Sequence, residues 1–154
     1  MYHNILVALD GSPTSHQALQ EALKIANSGS KIIAISVVEN PLIGYSAPVM
    51  PYDFAIMHDA FVQQSKNILE QAQHEMQSHG HIQIETHIVD LNPHASYDIP
   101  MAILDAAQKY HADLIVMGTH GRQGIKRFFI GSIAEQLIRQ SHLPVLLIRN
   151  QSSH

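Results

Sequence analysis

Cysteine and tryptophan are absent from this chain of 154 residues, and charged side chains make up only 14% of it. The lack of cysteine excludes disulfides, thiolate metal sites and cysteine nucleophiles, and it is typical of cytoplasmic proteins. Nine basic residues against 13 acidic residues give a net charge of −4, which argues against general binding to nucleic acids or anionic membranes. No apolar run approaches the ~20 residues of a membrane span, and the first residues show no signal-peptide pattern. We therefore expect a soluble cytoplasmic protein.

Size and apolar content predict one globular domain. The hydrophobic share is 45%, and 154 residues are enough to bury a full core without disulfides or metals. We assign residues 1–150 to a single domain and residues 151–154 to a C-terminal tail.

Aliphatic runs of strand length recur along the chain. Four of them predict strands buried on both faces, as in a parallel sheet: residues 4–9, 31–38, 113–117 and 144–148. A fifth run, at residues 82–89, alternates between apolar and polar side chains and predicts an edge strand. Between the runs, apolar residues recur with helical spacing in four stretches, and the first stretch begins at the cap and proline pair Ser12 and Pro13.

The strict alternation of strands and helices predicts the fold class. It is a single-domain, three-layer α/β/α fold with a five-stranded parallel sheet, of Rossmann or flavodoxin-like type, in the strand order 3-2-1-4-5. In such sheets, ligands bind beyond the carboxyl ends of the strands, where the strand order reverses.

The connection at residues 39–59 is longer than most. Its prolines Pro41, Pro48 and Pro51 lack backbone donors and discourage regular structure. Because the segment directly follows the second predicted strand, we interpret it as a flap over a ligand, with a static surface loop as the alternative.

Residues 117–132, MGTHGRQGIKRFFIGS, are the most informative stretch, and they join the fourth predicted strand to the fourth helix. They contain half of the eight glycines of the chain: Gly118, Gly121, Gly124 and Gly131. They also contain three of its nine basic residues: Arg122, Lys126 and Arg127. Glycines allow close backbone approach, and a helix N-terminus favours anions, so the stretch predicts a phosphate site.

A ligand-free interpretation of the same residues stays open at this point. Ser132 and Glu135 have the spacing of a capping box, which satisfies backbone donors without a ligand. The glycines can serve turns alone, because a loose glycine pattern has a high false-positive rate. The stretch contains no Walker A motif, and no G-x-G-x-x-G motif follows the first strand.

The spacing G-2x-G-9x-G-S, from Gly118 to Ser132, resembles the nucleotide-binding signature of the ATP-binding branch of the universal stress protein family. ILVALDGS at residues 5–12 resembles the opening strand and turn of that family, and HLPVLLIR at residues 142–149 resembles its closing strand. The match covers essentially the whole chain. It implies an adenine nucleotide alpha hydrolase-like fold, ATP, ADP or AMP as the ligand, and a nucleotide-dependent role in stress response or signalling.

The resemblance also implies a homodimer through the C-terminal strand at residues 144–149. The same pairing follows from the expected place of this strand at a sheet edge, because bare edges need covering and a twofold partner provides the cover.

The resemblance implies the site residues position by position. Asp10 resembles the acidic residue beside the nucleotide and is a candidate ligand of a magnesium ion bound with it. Ala8 aligns with a neighbouring position, and Val37 resembles the residue whose backbone pairs with the adenine edge. The remaining positions form the floor under the nucleotide and the surroundings of its phosphates: Met117, Gly118, Gly121, Arg122, Gly131, Ser132 and Ile133.

Other functions find less support in the sequence. A receiver-like phosphorylation switch would place its acceptor at Asp90, but the paired acids and the lysine of such a site are missing. An adenylyl-transferring or ATP-pyrophosphatase enzyme would need a glycine pair after the first strand. With no nucleophile elbow and no P-loop lysine, we expect nucleotide binding with slow hydrolysis at most.

Twelve histidines suggest a metal site, but no recognisable ligand set occurs among them. We interpret His74, His79 and His81 as solvated surface residues. His120 lies inside the glycine-rich stretch. Its side chain could contact a phosphate, but a loop histidine more commonly points toward water, and we expect the latter.

Overall fold

Strands and helices alternate along the chain in the computed structural model, which describes residues 1–40, 51–91, 98–121 and 130–150. The elements in chain order are β1 Asn4–Ala8, α1 Pro13–Ile25, β2 Lys31–Val38, α2 Pro51–Gln77, β3 Gln83–Asp90, α3 Ile99–Lys109, β4 Leu114–Gly118, α4 Ser132–Gln140 and β5 Val145–Ile148. None of the helices in these ranges is long and apolar enough to cross a membrane.

The strands form one parallel sheet in the order β3-β2-β1-β4-β5. The predicted fold class and strand order are confirmed. From β1 at the centre, β2 and β3 follow toward one edge of the sheet. The next strand, β4, lies on the other side of β1, so the direction of strand addition reverses there. The reversal separates the connections that leave β1 and β4, and it opens a crevice at the carboxyl ends of these two strands.

The core has one apolar cluster on each face of the sheet. On the face of α1 and α2, side chains such as Val7, Leu19 and Met76 are fully or almost fully buried. On the face of α3 and α4, Leu6, Ile33 and Leu137 are buried in the same way. Successive residues of β1 and β2 therefore enter opposite clusters, which explains why these strands are almost wholly apolar.

The two edge strands are less buried than the three central strands. Along β3 the predicted wetter face carries Glu85, whose carboxylate lies 2.7 Å from Lys31 Nζ and 3.3 Å from His87 Nε2. Hydrogen bonds from Lys31 and then His87 hold the pKa of Glu85 below its usual value. Charged side chains on an edge strand discourage unwanted strand pairing.

Only alternate residues of β5 turn their backbone hydrogen-bonding groups toward β4. The carbonyls of Pro144 and Ile148 accept hydrogen bonds from Ile115 and Thr119. Because a strand turns successive residues to opposite sides, the N–H and C=O groups of Val145 and Leu147 point away from β4, toward the outer edge of the sheet.

The structure corrects the expected start of the second helix. The sequence pattern predicts that residues 51–59 belong to the long connection, but they form the first turns of α2. Pro51 is the first helical residue, a position where its missing N–H is not needed and its fixed φ is favourable. Of the rest of the proposed flap, residues 39 and 40 are described, and residues 41–50 lie outside the described residues.

The predicted capping box at α4 is wrong by one residue. The N-cap is Gly131, which has no side chain to cap with, and Ser132 is the first helical residue. The Glu135 side chain accepts a hydrogen bond from Arg139 at 2.8 Å and does not return to the N-cap.

Candidate functional site

A cavity of about 720 Å³ opens at the carboxyl ends of the strands, between β1, β2, β4 and the start of α4. Every predicted site residue that the structure describes lines it: Ala8, Asp10, Val37, Met117, Gly118, Gly121, Gly131, Ser132 and Ile133. Arg122, the remaining predicted site residue, lies outside the described residues. The cavity has the size of a small-molecule site and lies where ligands bind in this class of sheet.

The turn between β1 and α1 forms one wall. The N–H of Ser12 donates to Asp10 Oδ1 at 2.9 Å, and Gly11 adopts the left-handed conformation with a φ of 80°. Ser12 then caps α1 by accepting from the Ser15 N–H at 3.2 Å. On its other side, Asp10 Oδ2 lies 2.8 Å from the point where a Cβ on Gly121 would stand. Asp10 therefore has a turn-forming role. It also lies directly against Gly121 of the glycine-rich loop, which is the connection between β4 and α4.

The backbone of Val37 faces the cavity. On β2, Ile35 accepts a hydrogen bond from the Leu9 N–H, just past the end of β1, while Val38 accepts from Leu91 on the side of β3. Since residues of a strand alternate in direction, Val37 points its N–H and C=O toward β1, past its last paired residue. No described residue of β1 or the following turn pairs with these two groups. They are a donor and an acceptor available to a ligand.

The two ends of the glycine-rich loop are tied together. The Thr119 N–H donates to the Ile148 carbonyl, and the Gly131 N–H donates to the Thr119 carbonyl, both at 2.8 Å. A Cβ on Gly131 would lie 2.9 Å from that same carbonyl oxygen. Only glycine permits this approach, which sets the N-terminus of α4 beside the end of β4.

His120 is turned into the protein. Its Nδ1 lies 2.9 Å from Thr119 Oγ1, whereas its Nε2 is buried in the described structure without a hydrogen-bond partner. The interpretation that this ring points at water is therefore wrong. A buried polar atom without a partner costs roughly 1–3 kcal/mol. His120 is also among the residues that line the cavity.

The other half of the cavity is apolar. It is lined by side chains from β2, α3, β4 and α4: Ile35, Val38, Ile99, Ile103, Met117 and Ile133. Such a lining accepts a flat hydrophobic group, which the backbone of Val37 can orient from one side.

The universal stress protein family model matches residues 1–149. The chain belongs to the universal stress protein family. A universal stress protein of Methanocaldococcus jannaschii is 30% identical over 151 residues, covering 97% of this chain and 83% of the relative. A crystal structure from Burkholderia pseudomallei of a member of the family is 34% identical, with 96% of both chains covered and a TM-score of 0.75.

Two of the similar solved structures carry a nucleotide. One is a universal stress protein in complex with cAMP, 24% identical, with 96% of both chains covered and a TM-score of 0.63. The other is a family member from Arabidopsis thaliana with AMP bound, 18% identical, with coverage of 97% and 93% and a TM-score of 0.67. At these identities the likeness to this universal stress protein shows the shared fold.

Sequence reasoning missed the contribution of α2. Phe61, Gln64 and Ser65 line the cavity, and Ser65 accepts a hydrogen bond from Ser36 of β2 at 3.0 Å. The apolar spacing of this stretch indicated only a core-facing helix. Its place over the ends of β2 depends on helix-to-sheet packing, for which the local sequence carries no signal.

Some of the described histidines outside the loop contact one other histidine or acidic side chain. His79 and His81 have ring centroids 6.4 Å apart, and His16 contacts Glu75 at 2.7 Å. Within the described ranges, no three histidine or acidic side chains converge in a way that could hold a metal ion.

We expect Gly118→Ala to destabilise the fold. A Cβ at this position would lie 2.6 Å from Thr14 Oγ1 and 2.8 Å from Thr14 Cβ. Relief of such overpacking typically costs roughly 1–3 kcal/mol, which a thermal melt detects as a lower Tm. Gly80→Ala is the matched control, because a Cβ at Gly80 meets no atom within 4 Å. Equal melting temperatures for the two variants would contradict the close packing of α1 on β4.

Proposed function

We propose that this universal stress protein binds an adenine nucleotide, ATP, ADP or AMP, and acts as a nucleotide-dependent module in stress response or signalling. The observation that carries the proposal is the cavity, which combines an apolar half with an unpaired backbone donor and acceptor and a glycine-lined helix N-terminus. The family members that bind cAMP and AMP support the adenine nucleotide as the ligand class.

The apolar half suits the base. Adenine is flat and presents a donor beside an acceptor on one edge, which complements the C=O and N–H of Val37. Side chains from the α3 and α4 face of the sheet, including Ile103 and Met117, supply the hydrophobic surface. The base therefore lies across the ends of β1 and β2.

The glycine half suits the phosphates. The N-cap Gly131 makes no side-chain hydrogen bond to the first turn of α4. The free N–H groups of that turn and the positive end of the helix dipole attract an anion. His120 is among the residues that line this part of the cavity.

Asp10 suits a magnesium ion that accompanies the phosphates. Magnesium is commonly held by one or two carboxylates together with phosphate oxygens, so a single carboxylate in this wall is enough. The bound ion would neutralise phosphate charge beside an acidic residue. We assign no catalytic residue, and hydrolysis is expected to be slow at most.

The receiver-like alternative is weakened by the strand order. A receiver places its third strand at the centre of the sheet, whereas β3 is an edge strand here. Asp90, the expected phospho-acceptor, lies 2.8 Å from His58 Nε2, and it is not among the described residues that line the cavity.

Calorimetry on the purified full chain tests the proposal. We expect ATP, ADP and AMP to bind with GTP at least ~10-fold weaker, because guanine presents the reverse donor and acceptor pattern to Val37. Acetyl phosphate is the control for the receiver alternative. Absence of heat with every adenine nucleotide, or equal affinity for GTP, would contradict the proposed site.

A further inference from the structure

Thr14, in the first turn of α1, lies behind the loop that follows β4. The residue is 5% exposed. Its Oγ1 donates a hydrogen bond to the carbonyl of His120, 106 positions later in the chain. The same oxygen lies 3.2 Å from Ser12 Oγ, which accepts from the Ser15 N–H. A chain of hydroxyl contacts thus joins the start of α1 to the backbone of the glycine-rich loop.

The same side chain packs against Gly118. The distances of 2.6 and 2.8 Å from a Cβ on Gly118 to Thr14 Oγ1 and Cβ leave no room for a side chain between them. The packing of α1 against β4 therefore requires glycine at position 118, independently of any ligand. Thr14 holds the segment at two points, at Gly118 by packing and at His120 by a hydrogen bond.

The carbonyl of His120 belongs to a connected unit. The His120 ring is paired with the Thr119 side chain at 2.9 Å, and the Thr119 backbone is bonded to Ile148 and Gly131 at 2.8 Å each. A shift of the His120 backbone would move its buried Nε2 and alter the approach of Gly131. Gly131 and the residue His120 line the half of the cavity that is proposed to receive phosphates.

We propose that Thr14 is a positioning residue of this site, and the inference rests on the proposed nucleotide binding. Thr14 is not among the described residues that line the cavity, so it acts through His120 and does not touch the ligand. Its hydroxyl holds the His120 carbonyl so that the backbone from Gly118 to Gly121 presents a fixed surface to the phosphates.

Two substitutions separate the hydroxyl from the shape of the side chain. Thr14→Val keeps the branched shape and removes the donor, and we expect the Kd for ATP to rise roughly three- to tenfold, the effect of one lost hydrogen bond. Thr14→Ser keeps the donor, and we expect a Kd within about twofold of the wild-type value. Calorimetry gives both values, and the NMR shift of the His120 ring should change in Thr14→Val alone.

Ser30→Ala is the matched control. Ser30 is 1% exposed, and its Oγ donates to the Tyr2 carbonyl at 2.8 Å. It precedes β2, so it lies at the amino ends of the strands, opposite the cavity. This variant loses the same kind of buried hydrogen bond, and we expect a lower Tm with an unchanged Kd for ATP.

The outcomes are distinct. A wild-type Kd in Thr14→Val, with a Tm loss like that of Ser30→Ala, would show a purely structural role and overturn the inference. Weak ATP binding by Thr14→Ser would also overturn the inference. The affinity would then depend on the packing of the methyl group and not on the hydroxyl. Thr14→Ala is a second hydroxyl-free variant if valine packs poorly. A wild-type protein that binds no adenine nucleotide refutes the proposed function first, before any variant is compared.

Discussion

Gly131→Val is expected to raise the Kd for ATP by about 100-fold or more, equivalent to roughly 2.7 kcal/mol. A Cβ at this position would lie 2.9 Å from the Thr119 carbonyl oxygen, which accepts the Gly131 N–H. Valine must push the start of α4 away from the end of β4, and the helix N-terminus then no longer faces the proposed phosphates. Calorimetric titration of the full chain with ATP measures the loss.

Gly80→Val is the control for this substitution. Gly80 is exposed, and a Cβ there meets nothing within 4 Å, so its ATP affinity should equal that of the wild type. Far-UV circular dichroism of both variants shows whether the fold is kept. Undiminished ATP binding by a folded Gly131→Val protein would mean that the phosphates lie elsewhere.

The second large effect is expected at the outer edge of β5, where we propose that two copies of the chain pair. Val145→Pro removes an N–H that points away from β4, so the hydrogen bonds between β4 and β5 can remain while the pairing with a partner copy is blocked. We expect the wild-type protein to sediment as a dimer at micromolar concentration and Val145→Pro to sediment as a monomer.

Val145→Ala distinguishes the backbone from the side chain. Alanine shortens a side chain that packs toward the α3 and α4 face but keeps the outward N–H. The variant should remain a dimer with a somewhat lower Tm. A monomeric wild-type protein would refute the pairing, and a dimeric Val145→Pro would place the interface on another surface.

The sheet and most of the site could be predicted because they depend on local patterns. Runs such as residues 31–38 are apolar throughout, which is what strands covered on both faces require. Once three such strands are parallel, the residues at their carboxyl ends must meet, and this brings Ala8, Val37 and Gly118 to one cavity. The glycine spacing then indicates the loop that completes it.

The features that sequence reasoning missed depend on contacts between distant parts of the chain. Pro51 was interpreted as a breaker, although a proline also fits the first position of a helix, and only the packing of α2 decides between the two. The His120 carbonyl accepts a hydrogen bond from Thr14, 106 positions earlier, and no local pattern indicates this contact. The shift of the N-cap from Ser132 to Gly131 follows from the bond between Gly131 and Thr119, which no local pattern reveals.

The unpaired backbone of Val37 has a consequence for how this protein can change during evolution. A donor and acceptor that belong to the main chain are present whichever amino acid occupies position 37, except proline, which lacks the N–H. Mutations at this codon can therefore alter the volume beside the base while its hydrogen-bonding pattern persists. If adenine is the ligand, the preference of the site for adenine over guanine depends on the arrangement of the strands. Substitution of residue 37 will therefore rarely change that preference.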